Sequence, residues 1–368
     1  MTGKRRVGLI FGGRSGEHEV SLMSARSVIG ALDPARYEIV QIGITHDGEW
    51  LVGEDVLSAL ERGDVQGLRP AALLPVPGKP GLYAQDERGD YGFYTALDVV
   101  FPMLHGTFGE DGTLQGLLEL AEIPYVGAGV VGSAVGMDKG VFRDVMAARG
   151  IPVVETLVVL RSEVQQDLPG VIERAERQLS GYPLFVKPAN LGSSVGVSKC
   201  LSRSDLWEGL MEAVRFDRRI LIQRGIPARE IEVSVLGNDV PEASIPGEIL
   251  PSREFYSYEA KYIDGQSGLL IPAPLPEATT QRVRELAVRA FQAVDCAGMA
   301  RADFFVDKVS GEVYLNEINT IPGFTAISMY PKLWEASGLP YPALLDRLIG
   351  LAFERHADRL RTEYRVQR

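Results

Sequence analysis

The sequence predicts an α/β protein whose C-terminal part is α+β in character. Three observations carry that reading. The chain opens with an apolar run at residues 6–11, a helical period through Leu32, and a second apolar run at residues 39–44, which together make a βαβ unit. Near the other end, residues 301–319 alternate as two strands joined by a tight turn. Finally, 368 residues with 45% hydrophobic and 24% charged content suffice for two or three domains around separate cores.

Composition narrows the function. A net charge of -11 sets aside nucleic acid and anionic membrane as general partners, although local cations can still hold a phosphate. Cys200 and Cys296 stand far apart, in no metal-ligating spacing, and fit a reducing cytoplasm. Lys4-Arg5-Arg6 precede an apolar run too short for a secretory signal. No apolar stretch approaches the ~20 residues of a membrane helix.

Taken in order, the first strand runs into Gly12-Gly13-Arg14-Ser15-Gly16-Glu17-His18-Glu19, a loop that opens a helix. Ala25, Val28, Ile29 and Leu32 mark its inner face, and Asp33-Pro34 ends it. The glycine spacing is not G-x-G-x-x-G, so a dinucleotide fold is poorly supported. Glu19 suits the helix N-terminus as a dipole partner, whereas Glu17 sits nearer the loop, where it can meet an ammonium group. Residues 46–95 are rich in Gly, Pro and charge, with one short helical run near residues 56–60, and read as a surface elaboration. Residues 99–101 form a third strand. It leads into a loop over 102–112 that meets the Gly12 loop beyond the strand ends, where His105 could orient a neighbour. A helix over 113–121 and a short strand over 124–126 follow. Residues 127–136 read as a glycine-rich connection.

A helix over 137–149 carries Lys139 in its first turn, where a cation opposes the helix dipole unless an anion lies across it. Residues 184–188 form a strand bearing Lys187. The glycine-serine segment 189–197 that follows offers N–H and hydroxyl donors to a phosphate, without the Walker A pattern. A strand over 220–226 bends as a hinge does, and residues 229–236 alternate with Glu230, Glu232 and Ser234 on one face. Residues 254–269 have the aromatic, charged and glycine-containing character of a lid, with Lys261 and Tyr262 prominent. A helix over 277–294 packs under the final hairpin, and one over 341–359 reads as a surface helix.

The hairpin carries the sharpest chemistry. With Gly311 as the third residue of a three-residue loop, paired residue numbers sum to 620. Asp303 then faces Glu317, Arg301 faces Asn319, and all four share a face. Two carboxylates and an amide oxygen suit a hard divalent cation beside a phosphate. The plainer alternative is an amphipathic hairpin with its polar face in water.

The motifs GGRSGEHEVS, LHGTFGEDGTLQG, MDK, FVKPANLGSSVGVSK, YSYEAKY, ARADFF and NEINTIPGFT occur in this order. Through them the chain resembles the D-alanine–D-alanine ligases of the ATP-grasp superfamily, from about Val7 to Leu348. The resemblance implies an N-terminal parallel-sheet domain over 1–127, a central ATP-grasp domain over 128–224, and a C-terminal ATP-grasp domain with a metal site over 225–368. It implies joining of two D-alanines through an acylphosphate, with release of ADP and phosphate, for peptidoglycan precursor synthesis by a cytoplasmic homodimer. Two Mg²⁺ or Mn²⁺ ions are implied on Asp303, Glu317 and Asn319. ATP would be held by Lys139, Lys187, Ser193, Ser194, Gln223, Arg224, Ile226, Glu230, Lys261, Phe305, Asn316 and Glu317. The reacting groups would be handled by Glu17, Ser194, Tyr262, Arg301, the N–H of Gly323, and Ser328. Gln223 departs from the glutamate expected at the hinge; its carbonyl would accept from the adenine N6 amine without charge. Tyr262 resembles the residue of dipeptide-forming members, as opposed to the phenylalanine of D-lactate-accepting relatives. Alternatives are a related ligase using D-lactate or D-serine second, a nicotinamide oxidoreductase on the first βαβ unit, and a catalytically silent nucleotide-binding module.

Overall fold

The computed structural model describes residues 3–192, 195–250, 268–325 and 327–364. Strand β1 (Arg5–Gly12), helix α1 (His18–Ala31) and strand β2 (Tyr37–Ile44) form the predicted βαβ unit. They are followed by β3 (Trp50–Val52), α2 (Val56–Arg62), β4 (Arg69–Leu73), β5 (Gly81–Gln85), β6 (Tyr91–Ala96), β7 (Val99–Pro102) and α3 (Thr113–Leu120). These strands make one sheet in the order β6-β5-β4-β3-β2-β1-β7. The pairs β1–β2 and β1–β7 are parallel, whereas β2–β3 and the strands beyond are antiparallel. Residues 46–95 are therefore not a surface elaboration. They extend the sheet, and Val52, Ala71, Leu82 and Ala84 are buried in its core. The short strands and frequent turns of that stretch hid its period-2 signal.

Alternation along β1 explains why the sheet is covered on both faces. Val7, Leu9 and Phe11 pack toward α1, while Ile10 packs with Leu114 and Leu118 of α3. The first face is closed from far along the chain, by its last helix.

The next stretch opens with α4 (Val130–Met137), a helix where a glycine-rich connection was expected. Its glycines serve packing: a Cβ at Gly132 would lie 2.9 Å from Asp295 O, and one at Gly136 3.1 Å from the Thr320 side chain. Helix α5 (Lys139–Ala148) follows, then β8 (Thr156–Leu160), α6 (Arg161–Gln166), α7 (Leu168–Gln178), β9 (Leu184–Pro188), β10 (Ser198–Cys200), α8 (Arg203–Phe216) and β11 (Arg219–Arg224). The four strands form an antiparallel sheet ordered β10-β9-β11-β8. Val186, Ile220 and Ile222 point to a core shared with α7 and α8. The alternate residues Phe185, Lys187 and Gln223 point the other way, into a cleft.

The facing wall comprises β12 (Ala228–Gly237), β13 (Glu242–Ala243), β14 (Gly247–Leu250), β15 (Gly268–Leu270), α9 (Glu277–Ala293), β16 (Gly298–Asp307) and β17 (Val313–Asn319), with α10 (Met329–Ala336) and α11 (Tyr341–Arg359) closing the chain. Its sheet is ordered β15-β14-β12-β16-β17, with β13 pairing β12. Ile231, Val233, Ala300, Ala302 and Phe304 pack on α9, leaving the polar alternates toward the cleft.

Two expectations change here. Helix α11 is not a surface helix: Leu344, Leu345, Leu348 and Ile349 are buried in the same cluster as β1, β7 and α1. Tyr37 donates to Asp346 at 2.8 Å and the hydroxyls of Ser27 and Tyr341 pair at 3.1 Å, fastening this last helix to the first domain. The hairpin register also differs in part. The 620 rule holds for Arg301↔Asn319 and Asp303↔Glu317, but a bulge then slips the pairing to Phe304↔Leu315. Asp307 N–H bonds Glu312 O at 2.9 Å, so the loop has four residues rather than three, with Gly311 at φ +74. The bulge breaks strand alternation so that Asn316 and Glu317 both line the cleft while Leu315 and Ile318 stay buried.

Candidate active site

The two walls enclose a cavity of about 1060 Å³. Its C-terminal wall is acidic with one embedded guanidinium. Arg301 grips Asp303 in a bidentate pair, Nε to Oδ1 at 2.7 Å and a terminal nitrogen to Oδ2 at 2.6 Å. The same Nε lies 3.1 Å from Glu232, which stands directly opposite Asp303 on β12. Asn319 donates to Asp303 at 3.0 Å. The expected Asp303–Glu317 repulsion is thus tempered by Arg301 on one member and by Lys139, 3.4 Å from Glu317, on the other.

Lys139 reaches across from α5 for a definable reason. Asp138 caps that helix, accepting from Gly140 and Val141 N–H at 3.0 and 2.9 Å, and is itself paired with Arg219 at 2.7 Å. The cap supplies the anion that the first turn lacked, and the Lys139 ammonium also donates to Leu191 O at 3.0 Å. Lys187 is half-buried in the opposite sheet. Desolvation pushes its pKa down to about 8, against the opposing pull of Glu317. It donates to Gln223 Oε1 at 2.8 Å. The same Gln223 carbonyl, expected to meet an adenine amine, accepts from this lysine because the two residues stand diagonally on β9 and β11.

A third group of residues comes from the first domain. Glu17 sits between two glycines: a Cβ at Gly106 would lie 2.7 Å from its Oε2, and one at Gly192 2.6 Å. A side chain at either glycine would push the Glu17 carboxylate aside, and Gly106 has φ +75 as well. The glutamate carboxylate is thereby brought from its own domain against the start of the glycine-serine segment. Ser15 supports the turn by donating to His105 O at 2.8 Å. Glu110 lies behind, accepting from Gly106 N–H at 2.9 Å. Burial, then the Glu17 charge, push the Glu110 pKa well above the usual carboxylate range.

His105 joins this group to the end of β17. One ring nitrogen faces Ile321 O at 3.0 Å and the other faces the Ser24 hydroxyl at 3.0 Å, which also accepts from Phe324 N–H at 3.3 Å. These partners assign Nδ1–H as donor to the carbonyl and Nε2 as acceptor from the hydroxyl. Burial lowers the His105 pKa, consistent with a neutral ring.

Of the residues expected to form the site, Glu17, Lys139, Lys187, Gln223, Arg224, Ile226, Glu230, Arg301, Asp303, Phe305, Asn316, Glu317, Asn319 and Gly323 all line this one cavity. Ser328 adjoins it through Gly323, where a Cβ would meet its hydroxyl at 2.8 Å. Ser193, Ser194, Lys261 and Tyr262 lie outside the described residues. Sequence reading missed Glu110, Gly106 and Gly192 as site residues. Only the glycines and acids of GTFGEDG and the glycine of ANLGSS hinted at them, because the glycines act by close approach and Glu110 by burial.

The chain is similar to known proteins along nearly its whole length. Residues 6–128 match a family model described as D-ala D-ala ligase N-terminus, and residues 145–350 one described as D-ala D-ala ligase C-terminus. A D-alanine–D-alanine ligase of Thermoanaerobacter sp. (strain X514) is 52% identical over 359 residues, covering 97% of this chain and 99% of that one. One from Heliobacterium modesticaldum is 50% identical over 358 residues, covering 97% of each. Among solved structures, the Coxiella burnetii D-alanine–D-alanine ligase superposes with TM-score 0.83 at 40% identity, covering 97% of this chain and 96% of that one. The Enterococcus faecalis VanG D-Ala:D-Ser ligase superposes with TM-score 0.84 at 35% identity, covering 95% and 100%. With both family models matched across most of its length and relatives at half identity along nearly all of it, the chain belongs to the D-alanine–D-alanine ligase family.

Proposed function

We propose that this protein joins two D-alanine molecules at the expense of ATP, giving D-alanyl-D-alanine, ADP and phosphate. The observation that carries the reading is convergence. A glutamate from the first domain, two lysines and a strand-borne set of hard oxygens, supplied by three sheets and their helices, meet in one cavity. Phosphoryl transfer needs mainly positioning and charge neutralisation, and these groups provide both.

Glu17 receives the ammonium of the first D-alanine and fixes its carboxylate toward the phosphates. Lys139 and Lys187 meet the α- and β-phosphates, and Glu230 the ribose. Asp303, Glu317 and Asn319 fit a divalent cation, because their oxygens share one face and already need cationic neighbours. Mg²⁺ or Mn²⁺ bound there, two per site, would neutralise the phosphoryl oxygens. Arg301 and the N–H of Gly323 stabilise the oxyanion formed when the second amine attacks the acylphosphate. Ser328 takes the carboxylate of the second D-alanine. Ser193, Ser194, Lys261 and Tyr262 complete the closed site, with Tyr262 favouring an amine acceptor. The division at 127 and 224 separates the three sheets that supply these groups, and the working assembly is a cytoplasmic homodimer.

Incubation with ATP, Mg²⁺ and D-alanine should yield D-alanyl-D-alanine by mass detection. D-serine and D-lactate serve as competing acceptors at neutral pH. Failure to form the dipeptide, or D-lactate turnover equal to that of D-alanine, overturns the assignment. Sedimentation at twice the 40.2 kDa chain mass checks the dimer.

A further inference from the structure

A second cavity, of about 320 Å³, lies beyond the carboxyl ends of β1, β2 and β7. Ligands of open parallel sheets bind at such ends. It is on the α3 face, behind the loops that reach the cleft, and Ile44, Leu104 and Leu114 from that face's core line it. Its remaining lining is polar. Arg14 lays its guanidinium over the Phe108 ring, 4.6 Å from the centroid, and has no hydrogen bond or ion pair among the described residues. Asp47 has none among them either, nor has the Trp50 indole N–H. Phe108 is held for its contact in a left-handed backbone, φ +66, which non-glycine residues rarely adopt. Its N–H donates to Asp111 at 2.8 Å and its carbonyl accepts from the Thr113 hydroxyl at 3.1 Å. An apolar hollow with a few polar groups turned to it is how small-molecule sites are built.

We propose that this cavity is an effector site for a small zwitterion with an apolar body, such as a free apolar amino acid or a short peptide. Its carboxylate meets Arg14, its ammonium meets Asp47, and its apolar part covers Leu104 and Leu114. A hydrocarbon would leave both charges unanswered, and a simple anion would face Asp47. Coupling to the cleft follows from shared backbone. Arg14 stands three residues before Glu17 in one loop, and His105 lines both cavities. A guanidinium drawn off Phe108 by a carboxylate carries that loop with it, whereas Glu17 has no slack between Gly106 and Gly192. Under the proposed ligase reaction, occupancy weakens binding of the first D-alanine, and D-alanine weakens the effector by the same factor.

Trp50 reports on the site, since Trp207 and Trp334 lie on α8 and α10. Its indole ¹⁵N–¹H signal, identified by Trp50→Phe, is followed during titration with L-leucine, D-leucine and D-alanyl-D-alanine. Two controls are 4-methylpentanoate, which is leucine without the ammonium, and 3-methylbutylamine, which is leucine without the carboxylate. A zwitterion should move the signal saturably, at least about tenfold more tightly than either control, and Arg14→Met should weaken it by about tenfold. Tighter binding of leucine makes the ligand a free amino acid; tighter binding of the dipeptide makes it the reaction's own product. Leu117→Phe, which fills the cavity, should abolish the shift. The tighter zwitterion should also raise KM for D-alanine by at least about fivefold in the wild type and not in Leu117→Phe. No shift up to about 10 mM, equal shifts by the controls, or a shift that persists in Leu117→Phe overturns the site. If Leu117→Phe does not fold, Arg14→Met decides by the same criterion. A saturable shift with unchanged KM overturns the coupling alone. Absence of D-alanine turnover overturns the ligase reading and the coupling with it, but not the site, which is read without turnover.

Discussion

The two walls of the cleft are built alike and charged oppositely. Each is an antiparallel sheet with helices on its outer face and polar alternates on its inner one. The central wall presents Lys187, with Lys139 alongside from α5, whereas the C-terminal wall presents Glu230, Glu232, Asp303 and Glu317 around one arginine. The difference lies in how each charge is tolerated. On the acidic wall, pairing holds the charges: Asp303 has Arg301 and Asn319. On the basic wall, Lys187 has a neutral amide as its direct partner, and desolvation lowers its pKa to about 8. The acidic wall keeps an excess of carboxylates over Arg301 and draws on Lys139 from across the cleft, whereas Lys187 meets no carboxylate directly, an arrangement suited to a metal-bound polyphosphate between them.

The largest effect should come from removing a charge on the acidic wall. Glu317→Gln should lower D-alanine-dependent ADP release by about 10³-fold, the scale of a transition-state electrostatic contact, with the circular dichroism spectrum unchanged. Activity within tenfold of wild type would remove Glu317 from the metal set.

On the basic wall the prediction runs two ways. Lys187→Met should lower turnover by about 10²-fold while raising Tm at neutral pH, because the ammonium's burial is costly. The sign follows from the shift. The folded pKa lies below the unfolded value of 10.5, so between pH 8 and 10.5 the unfolded chain binds more protons and wild-type stability rises with pH. A wild-type stability curve that is flat over that window, or a lower Tm in Lys187→Met, would show that the two walls are not opposed as described.

The third region, where the first domain meets both walls, should respond more gently. Gly192→Ala pushes a methyl group against Glu17 and should raise KM for D-alanine by about tenfold while leaving KM for ATP nearly unchanged. An equal rise in both constants would mean that Glu17 does not serve the amino acid alone. Smallest on activity is Ser24→Ala, which strips the His105 ring and Phe324 N–H of a buried partner. It should cost about 1–3 kcal/mol in denaturant unfolding with kcat changed only slightly. A large loss of kcat at unchanged stability would instead assign His105 a direct role.

Much of the site was legible from residue order alone. The pairing of Asp303 with Glu317 and of Arg301 with Asn319 is the one the sequence predicts, but the loop is one residue longer than Gly311 suggested and the bulge restores the register, so only the alternation of each strand is a local property. The βαβ opening and the helix under the hairpin were legible for the same reason: periodicity reports which face will be buried before anything says what buries it. The bulge at Asn316 was not legible, because Leu315 and Ile318 must both reach one core, and only the packing of α9 enforces that. Nor was the burial of α11, whose apolar stripe fits a surface helix until β1 and α1 are seen beneath it.

The sequence by itself determined which groups could carry chemistry: acids and an amide on one hairpin, lysines at a strand end and a helix start, a glutamate in a glycine loop. Only the tertiary structure decided how they face one another. Asp138 and Arg219 turn Lys139 toward Glu317, Lys187 engages the Gln223 amide, and two glycines from loops far apart in the chain admit Glu17 between them. The physical reason is range. Backbone periodicity acts over a few residues and leaves its mark in the sequence. Desolvation, charge pairing and close approach join positions far apart along the chain, and leave none.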